Sequence, residues 1–280
     1  MDRRRCRPEI VTRRTTPHTS SGAFGTIVFG ATTRRGAAHG KATQVCEGKF
    51  GILTAMCGRI EYVVTSKKVL EGRYGARLVE GFTFQGLVNA RYNIAPSSHT
   101  PLITSENSEE FQFGHWGYLP PWASKENKSR DVINARSETV FEKPYFKSSI
   151  LKRRCIIPVT GFFEWHRSGS KKRPFRFHMD GDLFSLAGIY TTSKDENGHE
   201  MPHYAILTTH ANELMKPVHD RIPVILEEEA EHDWVGDEID EHAMVGLFKP
   251  YRVKGLKKDE ISSLVNNPRN DRPEILTPIH

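Results

Sequence analysis

The sequence predicts an α+β domain over residues 56–280, an antiparallel, barrel-like β core with peripheral helices. Three observations carry that expectation. Ten short segments, several alternating and several rich in Ile, Val, Phe and Tyr, read as strands. Only four segments read as helices, too few to supply a crossover helix for each strand of a parallel sheet. No unit with a period of about 20–50 residues recurs, which argues against a solenoid or propeller.

Taken in order, a helix over 66–73 comes first, followed by strands at 100–104, 111–116 and 131–134. A helix over 142–151 precedes strands at 154–158, 161–165 and 174–178, with Lys171-Lys172-Arg173-Pro174 read as the hairpin loop before the last of these. Strands at 183–190 and 203–208 flank Asp195-Glu196-Asn197-Gly198, a second hairpin loop. A short helix over 211–216, a strand at 223–226, a helix over 227–235 and a strand at 251–253 complete the order. Helix 227–235 opens with Glu227, Glu228 and Glu229, acids that suit the positive end of a helix dipole.

Charge divides the chain unevenly. Residues 1–55 hold ten of the 40 Lys/Arg and three of the 34 Asp/Glu, a balance of +7. The remaining 30 basic and 31 acidic residues leave 56–280 at −1, so a nucleic-acid partner has to be argued from local patches. The first 55 residues are rich in Arg, Thr, Ser and Gly and lack apolar periodicity. They read as a disordered extension, an organelle transit peptide or sequence upstream of a mis-assigned start. The tetrapeptide Met56-Cys57-Gly58-Arg59 favours the third reading. No apolar run approaches the roughly 20 residues that span a membrane. Cys6, Cys46, Cys57 and Cys155 lie far apart with no Cys-x-x-Cys or His-Glu-x-x-His spacing, so no metal is expected, and a reducing, cytoplasmic setting fits.

Chemistry is concentrated in a few places. If the chain begins at Cys57, one residue offers a primary amine and a thiol on adjacent carbons. The amine can form a Schiff base with an aldehyde, and the thiol can close a five-membered thiazolidine. Glu164, in Gly161-Phe162-Phe163-Glu164-Trp165, stands among aromatics that would desolvate it and raise its pKa, as a general acid/base requires; the alternative is a solvent-facing strand residue. His219 can shuttle protons or be merely exposed. Asn134 can hold a reacting amine or bond its own backbone. Arg59, Arg91, Arg136, Arg153, Arg154 and Arg221 suit phosphate. Trp116 and Trp122 can stack on the bases of a single strand or fill the core.

Six motifs stand in one order: Met56-Cys57-Gly58-Arg59, Arg91-Tyr92-Asn93-Ile94-Ala95-Pro96, Trp116 through Trp122, Asn134-Ala135-Arg136-Ser137-Glu138-Thr139, Gly161 through Trp165, and His219-Asp220-Arg221-Ile222-Pro223. With Val265-Asn266-Asn267-Pro268 near the end, they resemble the SRAP family (SOS-response-associated peptidases) over essentially all of 56–280. The resemblance implies the SRAP fold and binding of single-stranded DNA that contains abasic sites. It implies a thiazolidine crosslink between an N-terminal Cys57 and the ring-opened sugar, self-cleavage that exposes Cys57, and weak strand-cleaving lyase activity. It gives catalytic roles to Cys57, Asn134 (positioning the amine and sugar), Glu164 (proton transfer) and His219 (ring opening). Arg59, Arg136 and Arg221 would lie near phosphates, with Pro96 and Trp122 also on the DNA-binding surface. No cofactor and no membrane are expected, and the chain is expected to be monomeric. Three departures stand out: the 55 residues ahead of Met56, Phe163 in place of a common Tyr, and Ile222 in place of a frequent Met. The competing readings are an N-terminal-nucleophile glutamine amidotransferase, which would also begin Met-Cys-Gly, and a non-catalytic single-stranded DNA-binding module.

Overall fold

A computed structural model describes residues 57–78, 89–120, 132–169, 171–194, 198–253 and 255–279. All of these lie in one compact unit, Ile52–His280. The fold is α+β and dominated by two sheets. The first has five strands in the order β14 (Lys257–Glu260), β9 (Lys171–His178), β8 (Gly161–Ser168), β1 (Ile60–Tyr62) and β3 (Arg91–Ile94), all antiparallel. The second runs β12 (Arg221–Pro223), β11 (Glu200–His210), β10 (Phe184–Lys194), β7 (Arg154–Val159), β4 (His99–Thr104), β5 (Asn107–Trp116) and β2 (Arg77–Leu78). β13 (Ile225–Leu226) joins it on β10 and β6 (Asn134–Arg136) on β11.

The second sheet closes a ring rather than a full barrel. β11 returns to β5 through a short parallel pairing, His203 opposite His115 and Tyr204 opposite Trp116. Parallel pairings also join β6 to β11 and β2 to β5, so the expected antiparallel core holds with three exceptions. Closure brings facing strands close, and Gly188 in β10 sits at a tight point. A β-carbon there would lie 2.5 Å from Ile157 Cδ1, 2.9 Å from Cys155 Sγ and 3.1 Å from the Ala205 carbonyl. Gly188→Ala is expected to lower stability by about 1–3 kcal/mol through overpacking, read as a lower urea midpoint at unchanged slope.

Four helices lie among the described residues: α1 (Lys67–Tyr74), α2 (Pro144–Lys152), α3 (Glu228–Val235) and α4 (Glu241–Leu247). α2 starts at Pro144, which fits the first helical position because its missing N–H has no intrahelical partner there. The guanidinium of Arg154 ties α2 to α3, donating to the carbonyls of Ile150 (3.2 Å), Leu151 (2.7 Å), Trp234 (2.8 Å) and Gly236 (2.7 Å), groups that helix ends leave open. Trp116 is core, its indole N–H donating to the Ile133 carbonyl at 3.0 Å. No described helix is long and apolar enough to cross a membrane.

Several local expectations are corrected. Lys171–Pro174 is not a loop but the start of β9. The chain reverses after Ser168, which pairs with Lys171, and Gly169 adopts the φ of 60° that a tight hairpin turn requires. Residues 211–216 form turns because the Asn212 side chain accepts from the Met215 N–H (2.9 Å) and donates to the Tyr251 carbonyl (2.9 Å), an alternative to helical bonding. Residues 251–253 are not a strand; the strand nearby is β14. Asp131 lies outside the described residues, Val132 makes an isolated bridge to Tyr118, and the strand begins at Asn134. Of the second hairpin loop only Gly198 is described, although Lys194 and Glu200 pair on either side of it.

Candidate active site

The register of β1 on β8 builds the site. Ile60 pairs with Phe162 and Glu61 with Gly161, and the Phe163 N–H donates to the Arg59 carbonyl at 3.0 Å. Running backwards from Arg59, the chain therefore travels alongside Glu164. The Cys57 backbone nitrogen lies 3.2 Å from Glu164 Oε2 and donates to it. Alternation along β8 turns Phe163 away, into a cluster with Ile261, Val265 and Ile275, an apolar setting that suits Phe better than a hydroxyl-bearing Tyr.

Glu164 is 6% exposed, and burial pushes its pKa up to about 7, against the opposing pull of the Cys57 N–H and the Lys172 charge. The carboxyl can then give or take a proton near neutrality. His219 Nε2 is 3.7 Å from Glu164 Oε1, near but longer than a hydrogen bond. Burial lowers the His219 pKa, with Asp220 opposing. Its Nδ1 faces both the Arg221 N–H (3.1 Å) and the Asp220 carboxylate (2.8 Å). In the tautomer that accepts from Arg221 the proton sits on Nε2, facing Glu164; in the tautomer that donates to Asp220 it sits on Nδ1 and Nε2 is free to take a proton. The Cys57 thiol is 2% exposed, and burial followed by the nearby Glu164 raises its pKa, so it rests as the thiol.

Glu164 and His219 open onto a cleft lined also by Gly58, Arg59, Trp165, Arg167, Lys172 and Asn266, while Cys57 is buried and does not itself line it. Arg59, Arg167 and Lys172 face the single carboxylate of Glu164, so the cleft is cationic although the domain sequence is near neutral. The motif Arg91-Tyr92-Asn93 clasps the C-terminal segment that supplies Asn266. Asp271 accepts from the Arg91 side chain and from the backbone N–H groups of Tyr92 and Asn93. The Asn93 amide donates to the carbonyls of Val265, Asn267 and Asn270, while its Oδ1 accepts from Arg59 at 2.6 Å. Trp165 then donates its indole N–H to Asn266 Oδ1 at 2.7 Å.

The structure thus brings Cys57, Glu164, His219 and Arg59 together. Asn134 stands on β6 next to Ile133, whose side chain lies nearest Gly58, but does not itself line the cleft. Arg136 is exposed on β6, and Pro96 is half-buried in the turn after β3 and outside the cleft lining. Arg221 is 6% exposed, its guanidinium engaged by Glu138 and by the carbonyl and hydroxyl of Thr208, so it anchors the segment carrying His219 rather than facing solvent. Trp122 lies outside the described residues. Sequence reasoning gave no role to Trp165, Arg167, Lys172 or Asn266. The Trp165 and Asn266 motifs were visible, but the contact between them spans 101 residues. Among the described residues, no three His, Cys, Asp or Glu side chains gather as a metal site.

A family model described as SOS response associated peptidase (SRAP) matches residues 56–268. The chain is 36% identical over 226 residues to the abasic site processing protein YoqW of Bacillus subtilis, covering 79% of this chain and 99% of that one. It is 37% identical over 203 residues to the abasic site processing protein YoaM of the same organism, covering 71% and 89%. The crystal structure of a Bacteroides thetaiotaomicron protein superposes with a TM-score of 0.70 at 30% identity, covering 79% of this chain and 100% of that one.

Proposed function

The chain belongs to the SOS response associated peptidase family, and we propose that it processes abasic sites in single-stranded DNA by capturing the ring-opened sugar aldehyde at Cys57. The observation that carries the reading is the Cys57 nitrogen 3.2 Å from a carboxyl held near neutrality, with His219 beside the other oxygen. In protein that begins at Cys57, this nitrogen is a primary amine. His219 assists ring opening by moving the C1′ hydroxyl proton toward the ring oxygen. The Glu164 carboxylate takes a proton from the terminal ammonium, the freed amine attacks C1′, and Glu164 gives that proton to the departing hydroxyl, which leaves as water. The positive charge of the iminium favours the thiolate beside it, offsetting burial. Sulfur then adds to C1′ as the thiol proton passes to the Glu164 carboxylate, closing the thiazolidine. Asn134 positions the amine and sugar, while Arg59, Arg136, Arg167 and Lys172 balance phosphate charge.

While residues 1–56 remain attached, Glu164 faces the nitrogen of the Met56–Cys57 bond instead. Cys57 holds a φ of 36°, a left-handed conformation that costs a residue with a β-carbon about 1–3 kcal/mol. A left-handed Cys57 beside a proton donor supports self-cleavage at that bond by water, which adds to the Met56 carbonyl carbon as the C–N bond breaks and Glu164 gives its proton to the leaving amine. A Schiff base that eliminates before the ring closes would account for weak strand cleavage.

Protein beginning at Cys57, mixed with single-stranded DNA carrying one abasic site, is expected to give a species that survives a denaturing gel. Cys57→Ala should lose that species and retain non-covalent binding. Absence of the covalent species from the Cys57-start protein would sink the reading. Ammonia release from glutamine without crosslinking would point to an amidotransferase instead.

A further inference from the structure

The cleft contains a second amine that the reaction above does not use as a nucleophile. Lys172, the second residue of β9, pairs with Arg167 across the β8–β9 hairpin, and its side chain lines the cleft with Glu164 and His219. Its Nζ lies over the Trp165 ring, 4.7 Å from the centroid. At an exposed position such a contact is worth only about 0.5–1 kcal/mol, so the amine can turn toward a guest at little cost.

Forming an imine with an aldehyde requires an uncharged primary amine and a nearby acid/base, but no thiol. A lysine in water is an ammonium ion and inert at neutral pH. Burial and then Arg167 lower the Lys172 pKa, with Glu164 opposing and Arg59 adding to the lowering, so its neutral form is reached more readily than that of a lysine in water. A partly desolvated lysine beside other cations is the usual arrangement of an imine-forming amine.

We infer that Lys172 is a second imine-forming amine for the ring-opened abasic aldehyde, giving the chain a strand-cleaving activity that does not depend on a free Cys57 amine. This rests on the abasic-site reading above. Neutral Nζ attacks C1′, Glu164 protonates the resulting hydroxyl, and water leaves as the C1′–N double bond forms. The iminium acidifies C2′, and the Glu164 carboxylate or His219 removes a C2′ proton. The released electron pair forms the C2′–C3′ double bond and expels the 3′ phosphate as the C3′–O bond breaks. Water then hydrolyses the imine, returning the Lys172 amine and an unsaturated aldehyde on the other strand end. Cys57 carries its own thiol to trap its imine as a ring. Lys172 has none, so its imine proceeds to elimination or hydrolysis. Which amine meets the aldehyde first decides between shielding the lesion and cutting it.

The test uses the full chain, confirmed by mass to retain residues 1–56, and its Cys57→Ala variant. Each is mixed with single-stranded DNA bearing one abasic site in the presence of sodium borohydride, which reduces an imine to a stable amine. Both are expected to form a reduced adduct that peptide mapping places on Lys172. Lys172→Arg, which keeps the charge and the Trp165 contact, should lower the adduct and the strand cleavage by about a hundredfold. Non-covalent binding by anisotropy should be retained, and Lys171→Arg should behave as the parent. An adduct that maps elsewhere, or survives undiminished in Lys172→Arg, overturns the assignment. Protein beginning at Cys57 is run alongside without borohydride. Its failure to crosslink rejects the abasic-site reading itself, whereas its success with no Lys172 adduct in the full chain rejects only the role of Lys172.

Discussion

Glu164→Gln is expected to slow crosslinking by protein that begins at Cys57 by about 10²–10⁴-fold, the usual contribution of a positioned general acid/base. It is also expected to stabilise the full chain at alkaline pH. Glutamine keeps the shape and can still accept from the Cys57 N–H, but it neither gives nor takes a proton. The stability effect follows from the raised pKa. The folded carboxyl titrates at about 7, whereas an unperturbed one titrates at 4.5. Between those values the folded chain holds a proton that the unfolded chain has released, so wild-type stability falls as pH rises through this window. At 1.36 kcal/mol per pH decade the loss amounts to about 3 kcal/mol above pH 7. Glutamine resembles the protonated acid and does not suffer it. Urea midpoints at pH 4 and pH 8.5 should therefore separate progressively in favour of Glu164→Gln. Parallel stability profiles for the two proteins would show that Glu164 is not held protonated by burial. The rate profile carries a second signature. In protein that begins at Cys57, a terminal ammonium replaces the amide beside Oε2, and its charge draws the Glu164 pKa below the value in the full chain. The Glu164-dependent limb of the crosslinking rate should lie lower accordingly and vanish in Glu164→Gln.

What could be read from the sequence was what depended on local pattern. β10 and β11 are runs of Ile, Leu, Tyr and Thr that declare themselves as strands, and α3 announces its start with glutamates. β14 is Lys-Lys-Asp-Glu, with no apolar periodicity, and is a strand only because β9 lies beside it to accept its ladder. β1 and β3 are three and four residues long, too short for a periodic signal. The site divides in the same way. Cys57, Glu164 and His219 are expected from the chemistry of single residues in their motifs, and the structure places them side by side. Lys172, Arg167 and Asn266 join them because a hairpin folds over and the C-terminal segment returns, events set by distant partners such as Asn93 and Asp271. Arg221 shows the reverse case. Beside His219 it reads as a cation for phosphate, and the structure buries its guanidinium between the Thr208 carbonyl and the more exposed Glu138 carboxylate.

The same logic makes Arg176→Met the substitution expected to cost the most stability, about 3–5 kcal/mol. Glu61, on β1, is 1% exposed, and its carboxylate accepts from Arg176 Nε at 2.7 Å, Arg176 Nη2 at 2.8 Å and the Thr160 hydroxyl at 2.9 Å. Removing the guanidinium leaves a buried carboxylate with one neutral donor. The carboxylate also has little room to move. A β-carbon on Gly161 would already lie 2.9 Å from Glu61 Oε2, so the gap that admits the carboxylate exists only because residue 161 has no side chain. Thr160 also binds this segment, its N–H donating to the Glu61 carbonyl at 2.9 Å and its hydroxyl accepting from the Val63 N–H just after β1 at 3.1 Å. The pair therefore holds the strand whose leading residues bring Cys57 to Glu164, and Arg176→Met should slow crosslinking even at temperatures where the variant stays folded. A double-mutant cycle separates the lost attraction from the stranded charge. Glu61→Met combined with Arg176→Met should recover most of the stability, because an apolar pair of similar volume is often as stable as a buried ion pair. Additive losses in the urea midpoint would mean that the two side chains do not interact across β1 and β9, and the ion pair would no longer account for the register of the site.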